Sequence, residues 1–82
     1  MYKALIYVTL RQSVLDTQGQ AVQKALHTLG YAEVKDVRIG KYMEVKVEAT
    51  SQEAAGQRVK EMCERLLANT VIEDYRFELT EE

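Results

Sequence analysis

Apolar and polar residues alternate over residues 2–10. Tyr2, Ala4, Ile6, Val8 and Leu10 fall on one side, and Lys3, Leu5, Tyr7 and Thr9 on the other. A period of two with one strongly apolar side predicts a strand. The period then changes to that of a helix. Leu15, Val22, Ala25, Leu26 and Leu29 recur at helical spacing, with Asp16 placed as a side-chain cap and Gly30 just past the end, so a helix is expected near 17–29. Residues 33–39 read as a second strand. Val34 is out of phase with Val37 and Ile39, which predicts a bulge or late start near Lys35-Asp36. Gly40-Lys41 reads as a two-residue hairpin turn. A third strand over 41–49 puts Met43, Val45, Val47 and Ala49 inward and Tyr42, Glu44, Lys46 and Glu48 outward.

Thr50-Ser51-Gln52-Glu53 has the form of a capping box, with Thr50 as cap and Glu53 reaching back. The helix it opens, over 51–68, carries Ala55, Val59, Met62, Cys63 and Leu66 on one stripe, and Glu61 and Arg65 stand one turn apart on its outer side. Gly56 lies inside it and weakens it by roughly 1 kcal/mol relative to alanine; close packing against a neighbour would account for it. Asn69 is placed to end the helix in a left-handed conformation. Across Met62 to Tyr75 the spacing switches back to two. Val71, Tyr75, Phe77 and Leu79 share one side of a last strand over 71–79, with Ile72, Asp74, Arg76 and Glu78 opposite.

The resulting order, β-α-β-β-α-β over a single domain of residues 1–82, is the α+β ferredoxin-like arrangement: a four-stranded antiparallel sheet with both helices on one face. Ile6, Val8, Leu26, Val45, Val47, Val59, Met62, Leu66 and Phe77 are its expected core, and Leu66→Ala is expected to cost about 2–5 kcal/mol. The other face stays uncovered. It carries Leu5, Tyr7, Tyr42 and Ile72 among charged residues, and such an apolar strip suits a partner, in the first place a second copy in a dimer or higher even-numbered oligomer.

Composition narrows the function. A chain of 82 residues has a small core, for which oligomerisation is one remedy. Eleven basic and 13 acidic residues leave a net charge of −2, which argues against nucleic acid as the main partner. The single Cys63 excludes an intrachain disulfide, and with one histidine it cannot complete a four-ligand structural zinc site. Its usage fits a reducing cytoplasm. No leader and no apolar run near 18 residues suggests export or membrane insertion.

Chemistry hosted elsewhere by this topology finds little support. Tyr7 and Tyr42 could stack bases, but Lys41 to Lys46 lacks the glycine–aromatic pattern of RNA-recognition modules, and Glu44, Glu48, Glu73 and Asp74 would repel phosphate. Arg11 occupies the region of an acylphosphatase-like arginine, but the chain's one asparagine, Asn69, is at the end of the second helix, and residues 11–15 lack a glycine-rich phosphate cradle. His27 falls on the polar side of the first helix. Cys63 reads as a small buried hydrophobe, and Ser13 has no base at a recognisable spacing. Lys35, Arg38, Lys41 and Lys46 interleave with acidic residues as a solvated surface. No catalytic, cofactor-binding or metal-binding residue emerges.

The wording of several segments is more specific than folding requires. These are Tyr7 to Leu10; Ser13 to Asp16 with Gln18-Gly19 and Ala21-Val22; Leu29 to Tyr31; Asp36 to Arg38 with Gly40 to Glu44; and Met62 to Glu64 with Leu66 to Tyr75. Collinear and nearly chain-long, they resemble the PurS family, the small subunit of phosphoribosylformylglycinamidine synthase. The least family-like stretch is Ala49 to Val59. The resemblance implies a non-catalytic subunit in the fourth step of purine synthesis, where formylglycinamide ribonucleotide, glutamine and ATP become formylglycinamidine ribonucleotide. It implies a glutaminase subunit and a large synthetase subunit as partners, with this chain bridging them and helping ammonia to pass, and with ATP and Mg on the synthetase. Arg38, Lys41, Tyr42, Asn69, Glu73 and Tyr75, in the hairpin and the last joint, are the candidate contacts with those partners. The rival reading from another class is a stand-alone ligand-sensing regulatory module of the same topology.

Overall fold

The alternating segment at the start of the chain becomes the centre of the sheet. In the computed structural model, which describes residues 1–82, β1 (Tyr2–Leu10) lies between β2 (Gly40–Val47) and β3 (Glu73–Glu81), antiparallel to both. Ile6 is opposite Met43 on one side and Phe77 on the other, and Tyr7 is opposite Tyr42 and Arg76. The two faces are therefore sorted as the alternation requires. Ala4, Ile6 and Val8 are buried beneath α2 (Gln52–Met62), together with Val47, Val59, Cys63 and Ala68. Met43, Val45, Met62, Phe77 and Leu79 are partly buried around them.

The sheet has three strands and not four. Between Leu10 and Gly40 the chain leaves it and forms an arm made of α1 (Thr17–Thr28) and a return segment, residues 31–39, that begins with a turn and has no regular secondary structure. The expected second strand at 33–39 is absent because its backbone is engaged by the arm itself. Gln23 Nε2 donates to Lys35 O at 3.0 Å, His27 Nε2 lies 2.8 Å from Val34 O, and Ile39 N–H donates to the Asp16 carboxylate at 2.7 Å. Gly40-Lys41 accordingly makes no hairpin turn but opens β2, with Gly40 opposite Thr9. Nor do both helices cover the sheet. α2 packs on β1 and β3, whereas α1 has no comparable contact with any strand, and Leu26 is half-buried within the arm and outside the core. The molecule is 51 × 27 × 14 Å with a radius of gyration of 16.2 Å, against about 12 Å for a compact chain of this length.

Local signals account for the remaining elements, with three corrections. Gly30, at φ 103°, follows α1 as expected. Ser51, not Thr50 with Glu53, caps α2 by accepting the Ala54 N–H at 3.1 Å. The outer ion pair of α2 is Arg58 with Glu61 at 3.3 Å, not Glu61 with Arg65. Third, α2 does not continue as an α-helix to residue 68. It passes into a π turn, Cys63–Leu67, closed by Ala68 N–H on Cys63 O at 2.9 Å. A π turn holds one residue more than an α turn, so the apolar stripe advances by one. Leu67 packs against the core in the place expected for Leu66, which is 83% exposed.

These positions give a clear stability test. The 2–5 kcal/mol cavity cost expected at Leu66 belongs instead to Ile6→Ala, since Ile6 is fully buried. A β-carbon on Gly56 would meet Leu79 Cδ1 at 3.6 Å, an ordinary contact, so close packing does not demand this glycine. Gly56→Ala should therefore stabilise the protein by about 0.4–1 kcal/mol. Urea denaturation at a fixed protein concentration measures both.

Candidate functional site

The uncovered face of the sheet is built by the outward residues of three paired strands. Tyr7 and Tyr42 pack with ring centroids 5.2 Å apart, and the Arg76 guanidinium lies 4.0 Å above the Tyr7 ring. Tyr42 donates its hydroxyl to Glu44 at 2.8 Å, and Lys3 reaches Glu44 at 3.0 Å. Lys3 and then Tyr42 hold the Glu44 carboxyl below its ordinary range, and Glu44 pushes the Tyr42 phenol up. Tyr7, Gly40, Lys41, Tyr42, Asp74 and Arg76 line an open cavity of about 360 Å³. Leu5 belongs to this face, half-buried. Ile72 does not lie in the sheet: it stands in the turn before β3 and accepts the Arg11 N–H at 2.8 Å.

The joint between the π turn and β3 forms a second cluster. No non-glycine residue has a positive φ, so Asn69 does not end the helix in a left-handed conformation; the π turn ends at Ala68 in extended backbone. Asn69 acts through hydrogen bonds. Its side chain accepts the Val71 N–H at 3.2 Å, and its own N–H donates to Glu73 at 2.7 Å. Glu73 also faces Lys41 at 3.7 Å. Tyr75, partly buried against the core, donates its hydroxyl to Glu64 at 2.9 Å, and desolvation followed by that carboxylate pushes its phenol up to about 12. Arg11 spans the same region, donating to Thr70 O and lying 3.6 Å from Asp74. On this hydrogen-bonded frame Leu66 and Val71 project with 83% and 80% exposure.

The third cluster is the root of the arm. Asp16 is buried, and its carboxylate accepts the Gly19 N–H at 2.8 Å as a helix cap and the Ile39 N–H at 2.7 Å across the arm. These two backbone bonds, Ile39 first, hold its carboxyl below the ordinary value. Arg38 is no solvated charge. Its guanidinium donates to the carbonyls of Arg11 at 2.8 Å and Val14 at 3.0 Å, with Leu10 O at 3.4 Å.

The six candidate contact residues thus divide. Lys41, Asn69 and Glu73 meet at the joint, with Tyr75 following in β3; Tyr42 belongs to the aromatic face; Arg38 is at the arm root. Sequence reasoning missed Leu66 and Val71 as exposed apolar residues, because only the π turn moves Leu66 off the core. It also missed the second role of Asp16, which had the cap signal but no local sign of its bond to Ile39.

A sequence profile for PurS, described as phosphoribosylformylglycinamidine (FGAM) synthase, matches residues 3–81. The phosphoribosylformylglycinamidine synthase subunit PurS of Bacillus subtilis is 62% identical over 81 residues, 99% of this chain and 95% of that protein. The crystal structure of Methanocaldococcus jannaschii PurS, one of the subunits of formylglycinamide ribonucleotide amidotransferase in the purine biosynthetic pathway, superposes with a TM-score of 0.90 at 38% identity, over 100% of this chain and 99% of that one. A chain in the structure of PurLQS from Thermotoga maritima superposes with a TM-score of 0.89 at 35% identity, over 96% of both. The chain belongs to the PurS family. PurS is a subunit of FGAM synthase in purine biosynthesis, as the resemblance implied. The open arm is also a PurS feature, because a score of 0.90 is out of reach if so large a segment as residues 11–39 lay elsewhere. No helix is long and apolar enough to cross a membrane.

The arm root of this PurS chain should be acid-sensitive. A carboxyl whose folded pKa is depressed contributes stability that is complete above its ordinary value of 3.8 and is lost as pH falls through the lower, folded value. Amide exchange at Gly19 and Ile39 should therefore accelerate below about pH 4 relative to core amides. Asp16→Asn keeps one acceptor oxygen, enough for the Gly19 cap, and turns an NH2 toward the Ile39 N–H, so Ile39 should exchange fast already at neutral pH, without that acid transition.

Proposed function

We propose that this chain is a non-catalytic PurS subunit that joins a glutaminase subunit to a large synthetase subunit and aligns them for ammonia transfer. The observation that carries this reading is its fit, over nearly its whole length, to a chain of the Thermotoga maritima PurLQS structure. The reaction served is amidination of formylglycinamide ribonucleotide with glutamine and ATP, and ATP with Mg belongs to the synthetase. The setting is the cytoplasm, in keeping with one unpaired, buried cysteine. Ammonia is mostly protonated at neutral pH and is then a poor nucleophile. A water-excluding path between two sites keeps it neutral and local. A subunit can provide this by holding two larger ones in register, with no proton transfer of its own.

The surfaces described above suit such a role. The joint presents Leu66 and Val71 on a frame of hydrogen bonds that needs no reordering on contact, which limits the entropic cost of binding. Lys41, Tyr42, Asn69, Glu73 and Tyr75 shape this end of the sheet, and Arg38 acts on assembly through the arm. Self-association into a dimer or higher even-numbered oligomer belongs to the same reading. The surface of 6009 Å² exceeds the roughly 5,000 Å² of a compact monomer of 9.4 kDa by about 1,000 Å².

Reconstitution with purified glutaminase and synthetase subunits tests the role. Omitting this chain should abolish glutamine-dependent turnover while sparing more of the turnover supported by ammonium. Leu66→Asp and Val71→Asp should each weaken complex formation at least tenfold with the isolated fold retained by circular dichroism. Full glutamine-dependent activity without the chain would remove the basis for the proposal.

A further inference from the structure

Tyr42, Tyr7 and Arg76 stand side by side in one row across the uncovered face, on β2, β1 and β3. The Arg76 guanidinium is stacked 4.0 Å above the Tyr7 ring, which fixes its plane and leaves the N–H groups at its edge free. Charges on this face are otherwise matched. Lys3 meets Glu44 at 3.0 Å, Lys46 meets Glu82 at 3.9 Å, and Asp74 lies 3.6 Å from Arg11. Glu78 takes the Tyr7 hydroxyl at 3.5 Å. Arg76 alone among the cations of the face has neither an ion pair nor a hydrogen bond, although it is exposed and borders the open cavity with Tyr7, Tyr42 and Lys41.

We infer that Arg76 is the anchor for a carboxylate of a partner protein: the synthase subunit that covers Leu66 and Val71 also reaches round the end of the sheet and sets an Asp or Glu side chain against the Arg76 guanidinium. The inference rests on the docking role of the joint given above and extends it to the open face. An arginine held flat on an aromatic ring meets both oxygens of a carboxylate with little ordering left to do. Arginine and tyrosine are also among the residues that dominate binding energy at protein interfaces. The occupant brings a single negative charge here, since Glu44, Asp74 and Glu78 stand on the same face and repel a polyanion. A second copy facing this one across the sheet would bring only the carboxylates already engaged here. A free amino acid would leave its ion pair in water, because the cavity is open and Tyr42 is 52% exposed, and such a pair contributes little. A subunit that excludes water strengthens it. The joint and the face lie within one footprint. Val71 and Arg76 are five residues apart, at most about 18 Å of chain, and an interface of roughly 800 Å² per partner is about 28 Å across. Arg11 already links the two, donating to Thr70 O and facing Asp74.

The experiment titrates the whole chain and its variants into a mixture of purified glutaminase and synthetase subunits. Arg76→Gln should weaken assembly at least tenfold, as Leu66→Asp does, and should flatten the dependence of affinity on NaCl. Arg76→Lys keeps the charge but not the planar fork and should recover part of the loss. Tyr42→benzoylphenylalanine and Leu66→benzoylphenylalanine should photo-crosslink to the same subunit. Sedimentation of the isolated chain should be unchanged by Arg76→Gln, and L-glutamate or L-glutamine at millimolar concentration should leave the Tyr7 and Tyr42 ring resonances in place. Wild-type affinity of Arg76→Gln, crosslinks to different subunits, an altered oligomer, or a resonance shift with either amino acid would each overturn the inference. The first of these, with Leu66→Asp still defective, leaves the joint standing as the docking site, whereas full glutamine-dependent turnover without the chain removes both. If Arg76→Gln fails to fold, the crosslinks decide alone.

Discussion

Everything distinctive in this protomer depends on one carboxylate. Asp16 caps α1 through Gly19 and, with its other oxygen, takes the N–H of Ile39 at the far end of the arm. The two ends of a long excursion are thereby tied at one buried point, and Arg38 adds the carbonyls of the chain leaving β1. A flexible loop of this length would have no preferred direction. Fixing its base converts it into an oriented element. The direction chosen leaves an apolar helix stripe in solvent, and the surface in excess of a compact monomer follows directly from it.

The other constraint is the π turn. It advances the apolar stripe by one residue just before the chain re-enters the sheet, seats Leu67 and Ala68 in the core, and turns Leu66 outward. The following residues are then fixed by Asn69, Glu73 and Arg11, through bonds to backbone that no regular element satisfies. A subunit without an active site of its own can still present defined apolar side chains in this way. π turns commonly mark functional positions.

How far the sequence reveals this varies from one residue to the next. The alternation of residues 2–10 places the central strand correctly, and the Asp16 cap and Gly30 bound α1 to within a residue. These are local signals. The failures are non-local. Val37 and Ile39 alternate like a strand, but a strand needs a neighbour, and Asp16, Gln23 and His27 reach this backbone first. Leu66 has the right spacing for an α-helix and the wrong one for a π turn. The stripe on α1 was legible, but nothing local says whether it covers its own sheet or another chain's. The six candidate contact residues were chosen from family-like wording, which marks positions without separating a scaffold residue such as Arg38 from an exposed one such as Tyr42.

The strand order has a consequence for the life of the chain on the ribosome. β1 is made first and lies in the middle of the sheet, yet neither neighbour is made next. β2 follows only after the whole arm, and β3 is the last element, with Tyr2 finally pairing with Glu81. For most of synthesis the most apolar strand therefore has two open edges and no hairpin partner. Pairings between the two ends of a chain form slowly, and unpaired apolar edges attract other chains. The sequence offsets this by composition: Lys3 interrupts the β1 run, the chain has no proline whose isomerisation would prolong the wait, and the late strand β3 alternates charge with apolar side chains along its length.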